Sequence, residues 1–131
     1  MKSNKKVLVT GAGGFIGHHL VKFLKGKNYW VRGVDIKQPE YEETSADDFK
    51  LLDLREFINC QKACEGIDEV YQLAADMGGI GYISAFHAVI LRNNALINLH
   101  MVEAAYRAKV KNYLYTSSAC VYPQYLQKVT A

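Results

Sequence analysis

Gly11, Gly14 and Gly17 recur at three-residue intervals in the run Thr10-Gly11-Ala12-Gly13-Gly14-Phe15-Ile16-Gly17. Glycines at this spacing permit a tight turn and let a bulky anion approach the backbone amides. If a helix opens at Phe15 and Ile16, its first N–H groups and positive dipole end face that anion, and the pyrophosphate of a dinucleotide fits such a cradle. Gly17 then lets the helix pack closely on the preceding strand. A plain strand-to-helix turn is the alternative, and the flanking elements decide between the two.

Four further groups could act beside that turn. Asp35 follows Gly17 by 18 residues. Its carboxylate can accept hydrogen bonds from both ribose hydroxyls of an adenosine and repel a 2′-phosphate, which favours NAD over NADP. Lys37 weakens that preference, and an exposed aspartate capping a turn is the plainer reading. Asp53 has the spacing to meet an adenine amino group, with the Leu54 amide as a donor, or to cap a following helix. Leu73, Ala74 and Ala75 are small enough, after a strand, for a nicotinamide half to lie against the backbone. The Gly78-Gly79 continuation opens a second loop suited to a sugar or phosphate, or serves only as a flexible connection. Ser118 and Cys120 bring a hydroxyl and a thiol past another strand, although by itself Cys120 reads as structural. Of Asn93 and Asn94, one should face inward and need partners.

The elements that must position these residues alternate in kind. Lys6–Thr10 reads as a strand and Phe15–Lys25 as a helix, with Phe15, Ile16, Leu20, Val21, Phe23 and Leu24 as its stripe. Gly26 and Asn28 end it. Strands follow at Trp30–Asp35, Phe49–Leu52, Glu69–Leu73 and Tyr113–Ser117, with helices at Leu54–Cys64 and Ala88–Ala108, the last with Ile90, Leu91, Asn94, Ile97, Met101 and Ala105 on or near one stripe. The polar, acidic stretch Lys37–Asp47 reads as loop. Helices between strands force parallel pairing, so the expected fold is α/β, a doubly wound parallel sheet of order 3-2-1-4-5. Its switch point lies between strands 1 and 4, where ligands of this architecture sit.

Composition narrows the rest. The 131 residues, 50% hydrophobic and 22% charged, fit one globular domain. Apolar runs are too short to span a bilayer, and no leader precedes Val7, so a cytoplasmic protein is expected. The net charge of +3 is scattered, densest at Lys2, Lys5 and Lys6, which is a solvated terminus and no nucleic-acid footprint. Three cysteines, an odd number, fit a reducing compartment. Cys60 and Cys64 share a helix face without completing a metal site. His18, His19, His87 and His100 show no triad or metal spacing, and His18 and His19 read as packing or surface residues.

The glycine run, Leu73–Ala105 and Ser117–Pro123, in this order, resemble the extended short-chain dehydrogenase/reductase family, which acts on nucleotide sugars. The resemblance covers Val7 to Tyr125 and is similar most of all to the branch that epimerises GDP-linked sugars. A neighbouring branch, which forms GDP-fucose, typically uses NADP, which Asp35 disfavours. The resemblance implies that Ser118 hydrogen-bonds the sugar's C4 oxygen. It implies that Cys120 is an acid/base at the carbons beside a transient C4 ketone, that Gly78 contacts substrate, and that the long helix builds a homodimer. The family's central Tyr with Lys four residues later does not occur: none of the nine tyrosines has that partner, and Tyr125 and Lys128 are three apart. The expectation is an incomplete dinucleotide-binding domain, inactive by itself. A small non-catalytic NAD-binding module is the other reading.

Overall fold

The computed structural model describes residues 5–127. Lys2 and Lys128 lie outside the described residues. The chain runs β1 (Lys6–Thr10), α1 (Phe15–Gly26), β2 (Trp30–Asp35), β3 (Asp48–Leu51), α2 (Phe57–Cys64), β4 (Glu69–Gln72), α3 (Ile80–Ala85), α4 (His87–Arg107) and β5 (Asn112–Tyr115), then two single 3-10 turns at Ala119–Val121 and Gln124–Leu126. The five strands form one sheet of order β3-β2-β1-β4-β5, every pair parallel. This is the doubly wound order expected from the alternation of strands and helices.

β1 is the centre of the sheet, and its pleat divides the core. Val7 and Val9 pack with Ala12, Val21, Leu24 and Val31 on the α1 side. Leu8 points the other way and joins Val34, Cys60, Cys64, Val70, Ile97 and Met101 beneath α2 and α4. A central parallel strand is covered on both faces, so Val7-Leu8-Val9 is an unbroken apolar run. Each such side chain contributes roughly 1.5–3 kcal/mol by leaving water. Burial pushes the Cys60 thiol up to about 12 and Cys64 to about 11, and Cys60 Sγ donates to the Leu54 carbonyl at 3.1 Å. Both cysteines are packing residues.

Helix ends follow local chemistry. Asn28 takes φ 64° after α1, and the Tyr29 N–H closes back on the Leu24 carbonyl at 3.4 Å. Lys109 does the same after α4, with the Val110 N–H on the Ala105 carbonyl at 3.0 Å. Residues 36–47 carry no helix or strand, as expected.

Four expectations need correction. α2 starts at Phe57, not Leu54, because Asp53 closes a short turn on the Arg55 N–H at 3.0 Å. The Met77–Gly81 stretch does not stay loop: α3 begins at Ile80. The apolar stripes were drawn too wide. Phe15, Ile16 and Phe23 are exposed on α1, whose buried face is Gly17, His18, Val21 and Leu24. On α4 the buried face is Asn93, Ile97, Met101, Ala104 and Ala105, while Leu91 is 73% exposed. Strand ends also shift by one or two residues, β5 ending at Tyr115 where Ser117 was expected.

Candidate functional site

One register row crosses the sheet, Lys50–Val34–Thr10–Gln72–Tyr115. The strands are parallel, so the segments that begin just past this row leave the same edge. They carry Gly11–Gly17, Asp35, Asp53, Leu73–Gly79 and Thr116–Cys120. The residues singled out from sequence therefore share one end of the sheet.

The glycine turn is built by backbone interlocking. Gly11 has φ 69°, which glycine adopts without strain, and the Gly14 N–H donates to its carbonyl at 3.1 Å. A Cβ on Gly17 would stand 2.0 Å from that same carbonyl oxygen, so α1 can lie this close only with glycine there. The first i→i−4 bond of α1 is His18 N–H to Gly14 C=O at 3.0 Å, which leaves the N–H groups of Phe15, Ile16 and Gly17 ahead of the helical ladder. The first turn of α1 contains no acidic residue, and Gly14 gives it no side-chain cap. A Cβ on Gly14 would meet nothing nearer than 3.4 Å. The turn offers donors and a positive end, which fits a pyrophosphate.

Asp35 closes the other side of the turn. Its Oδ2 accepts the Gly13 N–H at 2.8 Å, and its Oδ1 accepts the Ile36 N–H at 2.6 Å. The half-buried carboxylate is thus aimed at the glycine turn by backbone donors and keeps acceptor capacity for hydroxyls. Lys37 pairs with Glu40 at 3.1 Å, which occupies the base that would otherwise favour a 2′-phosphate. Asp53 is gripped by Arg55, whose Nη2 and Nε donate at 2.7 and 3.0 Å, and this hydrogen bonding holds its carboxyl below the usual range. The Leu54 side chain is buried in the core, which fixes the backbone where a donor was expected.

At the mouth of the crevice a buried polar network ties β1 to β4. The Thr10 hydroxyl donates to Gln72 Oε1 and accepts the Leu73 and Ala74 N–H groups at 3.0 and 3.1 Å. Gln72 Nε2 donates to the Ala74 carbonyl and to Asn98 Oδ1, at 3.0 and 3.1 Å. A satisfied network of this kind specifies one arrangement of the Leu73–Ala75 backbone. Sequence reasoning missed Thr10 and Gln72, although a glutamine in an apolar strand was the signal.

The substrate-side residues stand differently. Ser118 and Cys120 are exposed, and Ser118 Oγ accepts the Cys120 N–H at 3.1 Å in the 3-10 turn. Gly78 is exposed ahead of α3. Two amides of α4 behave as sequence reasoning half anticipated. Asn93 is the inward amide, 8% exposed, and it donates to Asp76 Oδ2 at 2.8 Å. His18 proves buried, with Nε2 2.6 Å from Glu42 Oε1.

A family model described as NAD dependent epimerase/dehydratase family matches residues 7–130, and the chain belongs to that family. GDP-mannose 3,5-epimerase of Arabidopsis thaliana is 46% identical over 97% of this chain and 34% of its own length. GDP-mannose 3,5-epimerase 1 of Oryza sativa subsp. japonica is 44% identical over 95% and 34%. Among solved structures, MoeE5 in complex with UDP-glucose and NAD is 33% identical with a TM-score of 0.76, covering 90% of this chain and 38% of that one. The chain spans about a third of the length of these relatives. NAD is the family's cofactor, and the glycine turn with Asp35 fits it. Among the described residues no helix is long and apolar enough to cross a membrane.

Proposed function

We propose that this member of the NAD dependent epimerase/dehydratase family is the cofactor-binding part of a GDP-mannose 3,5-epimerase. The observation that carries the proposal is that likeness to such epimerases runs through 95–97% of the chain, with the substrate-side segments included. A bare NAD module has no use for the Gly78 loop or for Ser118 and Cys120. Cytoplasmic location belongs to the same reading, supported by the free thiols of Cys60, Cys64 and Cys120.

In this mechanism the amides of the Gly11–Gly17 turn hold the pyrophosphate and Asp35 receives the adenosine ribose. Asp53 and the Leu54 amide would hold the adenine, and the backbone of Leu73, Ala74 and Ala75 would support the nicotinamide half. When bound, NAD supplies reversible hydride acceptance from C4 of the sugar. Ser118 hydrogen-bonds the C4 oxygen and orients it. A C4 ketone acidifies the protons on C3 and C5, and the Cys120 thiol lies on the segment that would exchange a proton there. Gly78 presents backbone to the sugar. Leu91, Leu99, Val102 and Tyr106 form an exposed apolar stripe along α4, which supports a second copy of the chain as partner.

The test is deuterium incorporation at C3 and C5 of GDP-mannose, followed by NMR in heavy water with the full-length protein and NAD. Exchange that is lost in Cys120→Ala supports the assignment. GDP-mannose left unlabelled by a folded, NAD-loaded protein removes it.

A further inference from the structure

Asp76 lies two residues ahead of Gly78 and is held from four directions. Its N–H donates to Asn94 Oδ1 at 2.6 Å, and its carbonyl accepts from Asn94 Nδ2 at 3.1 Å. The Asn94 amide thus brackets this peptide much as a neighbouring strand would. The carboxylate accepts the Asn93 amide on Oδ2 at 2.8 Å and the Tyr82 hydroxyl on Oδ1 at 3.0 Å. Asn93 Oδ1 in turn accepts from Arg55 Nη1 at 3.4 Å, so the cluster reaches the residue that grips Asp53.

Tyr82 does more than donate. Its ring folds back over Gly78, where a Cβ would fall 2.5 Å from Cδ1 and 2.9 Å from Cγ. On its other side it packs against Phe86, the ring centroids 5.2 Å apart. The hydrogen bond to Asp76 raises the Tyr82 pKa, so the hydroxyl stays a donor at neutral pH. Both ends of the Met77–Gly79 segment are therefore tied: Asp76 to α4, and α3 back onto Asp76 through Tyr82.

We infer that Asp76, Asn94 and Tyr82 are positioning residues that preset the Met77–Gly79 backbone for a sugar, with the Tyr82 ring as the wall behind Gly78. This inference rests on the reading of Gly78 as a substrate contact. Two consecutive glycines lose more conformational freedom on ordering than any other pair, so an unfastened segment would lose binding free energy each time it met a ligand. The latch removes that loss beforehand. It also assigns Asp76 a role other than proton transfer, because both carboxylate oxygens already take donors from within the chain.

The test uses the full-length protein and Tyr82→Phe, which deletes the hydroxyl and keeps the ring. The Kd and KM for GDP-mannose should rise about three- to tenfold, with kcat within about twofold and NAD affinity unchanged. Amide exchange at Met77–Gly79 should quicken in the same variant, and Asp76→Ala should raise KM further. Unchanged KM with unchanged exchange overturns the latch. A loss of kcat and melting temperature at constant KM overturns it too, since that assigns the cluster to stability alone. A parent that binds NAD but takes up no GDP-mannose in calorimetry refutes the proposed substrate, and the sugar role of the latch falls with it. Exchange at Met77–Gly79 would then show whether the fastening itself exists.

Discussion

The two sides of the crevice are built from different material. The β1–α1–β2 side is shaped by backbone: a left-handed Gly11, a Gly17 pressed on the Gly11 carbonyl, and the Gly13 amide turned toward Asp35. The β4–α3–α4 side is shaped by side chains, Gln72 on Thr10 and Asp76 among Asn93, Asn94 and Tyr82. The first kind of site is mostly local, with the Gly11–Gly17 and Gly13–Asp35 contacts inside one βαβ unit, although Gly11 also lies close against the Leu73 and Ala74 backbone. The second needs partners from separate elements, and it can be retuned one side chain at a time without disturbing the sheet.

Glycine substitutions should break the contrast hardest. Gly17→Ala puts a methyl where the Gly11 carbonyl already stands, 2.0 Å away. Backbone must move, so a loss of about 3 kcal/mol or more in denaturant unfolding is expected. Gly14→Val has room in the free protein, with nothing nearer its Cβ than 3.4 Å. It should keep the melting temperature and weaken NAD binding about a hundredfold in calorimetry, by filling the approach to the amides. Equal stability losses in the two variants would show that the turn is shaped for packing alone.

Asp35→Ala should have a smaller effect. If Asp35 receives the ribose as proposed, its loss should shift the NAD to NADP affinity ratio about tenfold toward NADP. The Gly13 N–H also loses its partner, so affinity for both cofactors should fall somewhat. An unchanged ratio would reduce Asp35 to a turn residue. On the opposite side, Thr10→Val is nearly isosteric and strands the Leu73 and Ala74 amides and Gln72 Oε1. A cost of about 1–3 kcal/mol in unfolding is expected. A neutral result would mean that the side-chain-built half does not depend on this network.

The same division decides what was legible beforehand. The glycine turn, Asp35 and the sheet order could be read because each rests on local spacing and on strand-helix alternation. Asp76 could not, since its partners Tyr82, Asn93 and Asn94 lie 6, 17 and 18 residues away and only the fold brings them together. Asn93 and Asn94 announced a need for partners without naming them. The wide stripes on α1 and α4 failed for another reason. Phe15 and Ile16 on α1 and Leu91 on α4 are apolar yet exposed, so an apolar residue at helical spacing does not by itself mark the core. α3 was missed because three glycines in five residues, Met77–Gly81, outweigh its propensity, and the Tyr82–Asp76 bond offsets that cost.

Acid should test the cofactor side most gently. The 36–47 segment lies across α1 and is fastened by Glu42, which meets His18 Nε2 at 2.6 Å and Lys22 Nζ at 2.9 Å. Hydrogen bonding from His18 first, and Lys22 next, lowers the Glu42 pKa from 4.5 to about 2. A depressed carboxyl favours the folded state above its unfolded pKa, and that contribution is lost as pH falls from 4.5 toward 2. Glu42→Gln should therefore flatten stability against pH in this window, lying below the parent at neutrality and meeting it at low pH, with a small gap because exposed pairs contribute weakly. Proton-linked unfolding measured between pH 2 and 5 gives the slope. If parent and variant run parallel there, the strap is held by Lys25 on Asp47 at 2.8 Å, and Glu42 is a surface charge. If they converge only at low pH, the backbone-built half has one side-chain fastening of its own, and its position is the 36–47 segment beside Asp35.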